Sequence, residues 1–372
     1  MSPTASSSLG LTLRHRCDQM QVQSMDGHDL PESSDPVLLF ERHVSSFLLL
    51  LSSGEQILSL SWINKLLHSF LPLLDGFHSL VLSSSAKLPN CPPLDRSLSD
   101  FSDRSVKALD LLNAVRDGLA RVRHVRSHLD AAVSAVRSSQ LLRARKLLAD
   151  LSSLLAATDA DSAVPAHHSH RSFNQRHQQL RTLSWSVSVS RTWSASRQLQ
   201  ALGGSLAPPR AADVSATSGL AVPVFAMSSV LLFVLWALVA AVPCQDRGSL
   251  HAHGPAPPPP PRGYPWAAAM ASLQEKVLEE CKRRERKSHK ASGGGGGLMK
   301  EICRVEIAAR NLSEMLAKER SEGREVEEEV RELEEARNGM KEGLEAAERQ
   351  VRELFCRIVR YRTQGLDCSR RT

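Results

Sequence analysis

Three observations predict an all-α fold. The 372-residue chain is 42% hydrophobic but only 4% aromatic. That mix of Leu, Ala, Ser and Arg suits helices, since sheets want β-branched and aromatic residues. Apolar residues recur at three- and four-residue steps along most of the chain. One stretch, Gly219 to Cys244, is almost wholly apolar, with no charged residue between Asp213 and Asp246. The expected architecture is an N-terminal helical bundle, one strongly apolar helix and a long C-terminal coiled-coil-like helix. The length suits two or three domains.

Residues 1–34 are polar and read as a disordered tail. The acid-free start with Arg14 and Arg16 resembles an organellar transit peptide, the less favoured reading. No signal-peptide pattern opens the chain.

A helical bundle is expected over 35–157. Asp35-Pro36 combines a good N-cap with Pro at the first helical position. Val37, Phe40, Val44, Phe47, Leu48 and Leu51 then follow at helical spacing, up to Gly54. A second helix is expected from Ile57 to Leu74, with Leu60, Ile63, Leu67, Phe70 and Leu74 on one face. Trp62, Leu66 and Leu73 widen that face, and Leu80 to Leu82 extend the pattern past Gly76. After Pro89, Pro92 and Pro93, a long amphipathic pattern covers Leu94 to Ser138, and a last helix covers Leu141 to Ala156. Short links favour antiparallel neighbours, hence an up-down bundle. Its outer faces carry Arg116, Arg121, Arg123, Arg126, Arg137, Arg143, Arg145 and Lys146. These read as a solvated face; the alternative is a surface for acidic headgroups or an acidic partner.

Residues 158–180 read as a linker. His167, His168, His170 and His177 lack Cys or carboxylate companions there, so they read as solvent-exposed and not as metal ligands. The Trp/Ser-rich segment 181–218 alternates Leu183, Trp185, Val187 and Val189 with polar residues. With no second strand to pair with, it is expected to lie extended on the bundle, followed by a helix from Trp193 into the apolar run. Arg181 to Ser184 resembles a basophilic kinase site, a common pattern.

The apolar helix is expected over 219–244. From Pro223 to Pro243 it would span roughly 30 Å, the thickness of a bilayer's hydrocarbon core. Both prolines sit at its edges, and Ser228 and Ser229 can bond back to the preceding turn. The first reading is a single transmembrane helix, with Pro223, Phe225, Leu232, Trp236, Val242 and Pro243 as membrane residues. The alternative is the central helix of a soluble bundle, apolar all round because it is surrounded. A span meets a difficulty: it puts one flank outside the cytosol, yet unpaired cysteines lie in the C-terminal half. Arg210 on one side against Arg247 and Arg262 on the other is too small a bias to set orientation.

Residues 245–265 form a Pro-rich linker, expected as a stiff polyproline II spacer. A basic amphipathic helix is expected over 266–290, apolar at Trp266, Met270, Leu273, Val277 and Leu278. It ends in CKRRERKSHK, which reads as a nuclear import signal, a membrane-surface contact or cations at a helix C-terminus. A Gly linker, 291–297, follows.

The coiled-coil-like helix is expected over 298–361, with a tail over 362–372. Position a falls on Ile302, Ala309, Leu316, Gly323, Val330, Arg337, Leu344, Val351 and Ile358. Position d falls on Leu298, Val305, Leu312, Glu319, Val326, Leu333, Met340, Ala347, Leu354 and Tyr361. The register runs without a slip over about nine heptads. Glu319, Gly323 and Arg337 are wrong for a core. The first two cluster around Ser321 and Glu322, where a hinge or reversal is expected. The seam offers pairing with a second copy, a partner or the bundle.

The net charge of +7 suits an anionic membrane surface, nucleic acid or acidic protein partners. Basic residues without interleaved aromatics make nucleic acid the least suited of the three. Seven scattered cysteines form no C-x-x-C pair, so neither zinc nor a disulfide framework is indicated. Nucleophile elbows, P-loops, H-E-x-x-H and Rossmann glycines are missing. No catalytic residue, cofactor or metal is therefore expected.

Three blocks carry a family resemblance: LSLSWINKLLHSFL (Leu58 to Leu71), LDRSLSDFSDRSVKALDLLNAV (Leu94 to Val115), and LSWSVSVSRTWSASRQLQAL through the apolar run to VPCQDR, ending at Arg247. In these, and in their order and spacing, the chain resembles the plant BYPASS-related/ROH family over most of Asp35 to Cys368. The VPCQ ending resembles the ROH-type branch. The resemblance carries over no active site. It implies a regulatory role in plant development and, through a branch linked to exocytosis, an exocyst subunit as partner. The expected function is a non-enzymatic, membrane-associated adaptor, single-pass or peripheral, at the plasma membrane or endomembranes. Membrane lipid and helix-mediated protein contacts are its expected partners. The alternative is a soluble or nuclear helical signalling protein whose apolar helix is core.

Overall fold

A computed structural model describes residues 35–53, 56–85, 91–156, 194–244, 256–291, 299–317 and 323–369. These residues form α-helices and no strand. The tail over 1–34, the histidines at 167–177, the strand-like segment and the kinase-like site lie outside the described residues.

α1 (Pro36–Ser52) starts as its sequence dictates: Asp35 is extended and its side chain accepts a 3.0 Å bond from the Val37 N–H. Phe40, Val44, Phe47, Leu48 and Leu51 face the core. α2 (Leu60–Ser85) runs through Pro72 and Gly76 without ending near Leu74. The gain from burying Phe77 and Leu80 outweighs the poor helix propensity there. Phe77 lies between Phe40 and Phe101, at centroid distances of 5.8 and 5.0 Å. α3 (Pro92–Arg137) is about 70 Å long at 1.5 Å per residue. Ser139, at φ 56°, turns the chain into α4 (Leu141–Ala156).

α5 (Ala195–Gly204) is capped by Ser194, and α6 (Ala211–Ala216) is a short turn of helix. The Thr217 hydroxyl donates to the Asp213 carbonyl and accepts from the Ala221 N–H, stapling α6 to α7 (Ala221–Ala241). Gly219 adopts φ 86° in this reversal, a value L-residues with a Cβ disfavour. The Pro-rich stretch is more than a spacer. From Ala256 it lies on the bundle, with Ala256 and Tyr264 packed on the core and Pro258 against Gly203 of α5. α8 (Ala267–Ala291) follows.

The C-terminal segment is two helices, α9 (Lys300–Ala317) and α10 (Gly323–Ser369); of the hinge or reversal expected within the one long helix, the reversal is found. Arg304 pairs with Glu332 and Glu335, and Asn311 bonds to Glu329 at 2.9 Å. Rising numbers on one helix meet falling numbers on the other, so the pair is antiparallel. The reversal falls between Ala317 and Gly323; Glu319 lies outside the described residues.

α7 touches α1, α2, α3, α5, α6 and α8, while α10 packs on α2, α3 and α9. Residues 35–372 thus form one compact unit, although the sequence separates them by composition.

Candidate functional site

Every residue of α7 except Val222 is buried. Phe225, Leu232, Trp236 and Val242 are 7%, 5%, 0% and 1% exposed, and Pro223 and Pro243 are buried too. All six residues expected to meet lipid meet protein. A helix with no polar face must be covered on every side, and six neighbouring helices do that here. α3 packs against the end of α7 at Gly118, where a Cβ would stand 2.5 Å from Val242 Cγ1. Ser228 and Ser229 donate to the Val224 and Phe225 carbonyls at 2.8 and 2.9 Å, the expected back-bonding. Phe225 packs on the Tyr264 and Trp266 rings. Among the described residues two helices are long and apolar enough to cross a bilayer, α7 and most of α2. The second escapes a sequence scan for unbroken apolar runs, because Asn64, Lys65 and Asp75 punctuate it.

A second constellation surrounds residues 57–59, in the LSLSW block. Leu58 is fully buried at φ 61°, a strained value for leucine. Three groups hold it. The Arg284 guanidinium, 4% exposed, donates to the Ile57 and Leu58 carbonyls at 2.6 and 3.2 Å. The Lys300 N–H also donates to the Leu58 carbonyl, at 3.1 Å. Both Glu301 carboxylate oxygens accept from the Leu60 N–H at 3.2 Å, capping α2 from α9. Burial pushes the Glu301 carboxyl above its ordinary range, and the Leu60 N–H and Arg284 only partly offset this. Burial likewise raises the Cys281 thiol to about 12 and Cys303 to about 11, so both are protonated and poor nucleophiles at neutral pH. The basic cluster therefore splits. Cys281 and Arg284 face inward, Arg283 is held by Glu280, and Lys282 and Arg286 face out. Arg284 and Glu301 are absent from the sequence prediction. Their only signal is position: Glu301 precedes the buried Ile302, and Arg284 follows the buried Cys281 by three residues.

A third constellation joins α3 and α4 to the C-terminal hairpin. Arg137 bonds Glu327 at 2.7 Å and Glu334 at 3.1 Å, Arg123 pairs with Glu348, and Arg145 donates to the Leu316 carbonyl. Arg337, wrong for a coiled-coil core, pairs with Asp130 at 3.7 Å. The acidic partner of part of the basic face is thus the chain's own α10. Its seam is used internally as well. Ile302, Val305, Leu312, Val330, Leu333, Met340, Leu344, Val351, Leu354 and Ile358 are buried in the bundle, and Leu316 and Val326 are half-buried. Further along, Asn64 donates to the Gly343 carbonyl at 2.9 Å, and a Cβ on Gly343 would stand 2.8 Å from Leu60 Cβ. At the far end Asp75 accepts from both Arg357 and Tyr361, while His78 stacks on Tyr361 at 3.9 Å. Burial first, then the Asp75 bond, pushes Tyr361 up to about 12.

Among the described residues no three His, Cys, Asp or Glu side chains gather as metal ligands. The cavity beside Arg104, Leu202, Ser228 and Leu235 has room for about one water. These arrangements hold helices together and present surfaces.

A family model described as "Protein ROH1-like" matches residues 4–369. Protein ROH1D of Arabidopsis thaliana is 42% identical over 367 residues, covering 91% of this chain and 89% of its own. Protein ROH1A of the same plant is 33% identical over 352 residues, covering 85% and 81%. No solved structure matches.

Proposed function

This chain belongs to the ROH1-like family, and from that premise we propose that it is a non-catalytic helical adaptor whose apolar helix is the core of its fold. One observation carries the reading: α7 is enclosed by six helices of its own chain. Lys282 and Arg286 and the outward faces of the peripheral helices remain free for contacts. The polar groups brought together are spent on tying helices, as with Arg284 and Glu301. On this reading the protein meets membranes from the side, as a peripheral component, and acts in plant development and secretory traffic through protein partners, an exocyst subunit among them. The α9–α10 seam packs within the chain, so on this reading self-association would use another face. Affinity purification of the tagged full chain from plant tissue, followed by mass spectrometry, tests the partner class. Recovery of tethering-complex subunits is expected; repeated recovery of none contradicts it. A second reading, a soluble nuclear regulator, is tested by a fluorescent fusion. A diffuse nuclear signal with no membrane-associated fraction would favour it.

A further inference from the structure

The outer face of α1 is unlike the rest of the described surface. Eight large hydrophobic side chains are notably exposed there and elsewhere, and four of them, Leu38, Leu39, Leu49 and Leu50, belong to this one helix of 17 residues. Leu49 is the most exposed of the four, at 60%. At 100° per residue the four leucines and Arg42 fall within an arc of about 120°. They form one stripe, a leucine pair near each end, with Arg42 and Ser46 between. The helix's single carboxylate, Glu41, points the other way and is 6% exposed. Its neighbour in the stripe, Arg42, forms no ion pair with any described residue. At the C-terminal end of α1, Lys276 of α8 reaches the Ser52 carbonyl and hydroxyl at 3.1 and 2.9 Å, placing a second cation at that end of the helix.

We propose that this face is the protein's contact with lipid: α1 lies flat on an anionic bilayer surface, its leucines in the headgroup–acyl boundary and Arg42 and Lys276 at the phosphates. The inference rests on the peripheral reading above and adds the element that makes the contact. Charge favours this occupant: within α1 the exposed stripe carries Arg42 and no carboxylate, and the nearby Asp35 is turned back onto the Val37 N–H as the N-cap, which suits anionic headgroups. Shape agrees. A protein partner draws its strongest contacts from pockets, whereas one outward helix presents a ridge, which a fluid bilayer accommodates. Arg42 between the leucine pairs can bury its stem and keep its head at the interface.

The test is co-sedimentation of the full chain with phosphatidylcholine vesicles, with and without phosphatidylserine. Wild type is expected to bind, and more tightly when phosphatidylserine is present. Leu49→Ser with Leu50→Ser should weaken binding about tenfold or more. Arg42→Gln should lose mainly the gain due to phosphatidylserine. These positions are exposed, so circular dichroism and the urea midpoint should stay near wild type. If wild type binds neither vesicle, both the α1 proposal and the peripheral reading fail. If wild type binds and the variants bind equally, α1 is not the contact, though peripheral binding stands. If the leucine pair instead abolishes a dimer seen by sedimentation and leaves vesicle binding intact, the face is a protein interface and the proposal is wrong.

Discussion

Glu301 caps a helix that begins 241 positions earlier in the chain, and it does so from a partly buried site. Its carboxyl is raised above the ordinary 4.5 by burial. A raised folded value means that its contribution is full below about pH 4.5 and is lost as the pH climbs through the folded value. Glu301→Gln keeps an acceptor for the Leu60 N–H without the charge. It should match or exceed wild-type stability at neutral pH, with the advantage gone at pH 4, measured by urea unfolding at both. Glu301→Ala should cost about 0.5–2 kcal/mol, as lost N-caps do. Two glycines of α10 give a matched pair. Gly343→Ala should destabilise by about 1–3 kcal/mol, because its Cβ would press on Leu60. Gly339→Ala meets nothing closer than Glu301 Cγ at 3.7 Å and should stabilise by about 0.5–1 kcal/mol. Thermal melts of both variants check this. None of these roles is legible in the sequence. A glycine inside a helical pattern marks a close approach without naming the neighbour, and a glutamate beside a core position reads as solvated.

Among the elements, the start of α1 at Asp35-Pro36 and the span of α4 are legible, because caps and turns act over a few residues. The apolar a and d positions that α9 and α10 bury are spaced by the same local logic. What a heptad pattern does not specify is where the opposite seam comes from, and here α2, α3, α4 and the hairpin itself supply it. The reversal between α9 and α10 was visible in Glu319 and Gly323. The extension of α2 past Gly76 shows in the spacing of Leu80 to Leu82, and burial of Phe77 and Leu80 holds the helix through Pro72 and Gly76. The basic face of α3 gave no sign that α10 would neutralise part of it. Arg137→Glu should set like charges against Glu327 and Glu334 and lower stability at low salt. The loss should shrink as salt is raised, because both partners are solvent-exposed and screened. Chemical unfolding with urea at two salt concentrations measures it.

For the whole molecule, the apolar run was obvious and its surroundings were not. Burying apolar surface is favourable by about 25 cal/mol per Å² whether lipid or protein covers it. Composition therefore reports that α7 leaves water and is silent on what replaces it. The answer depends on six other helices arriving around it, a property of the entire fold. Val234, fully buried, separates the two environments. In a bilayer Val234→Arg would cost about 2.5–3.5 kcal/mol and loosen insertion. In this core it leaves an unpaired buried charge, so it should cost at least about 3–5 kcal/mol and unfold much of the protein, seen as loss of cooperative urea unfolding.

Alkaline carbonate extraction of membranes from cells making the full wild-type chain puts the question most directly. A bundle that encloses α7 and touches lipid only from outside should be released into the supernatant. Retention in the pellet would mean that α7 crosses the bilayer, and would contradict the enclosed core.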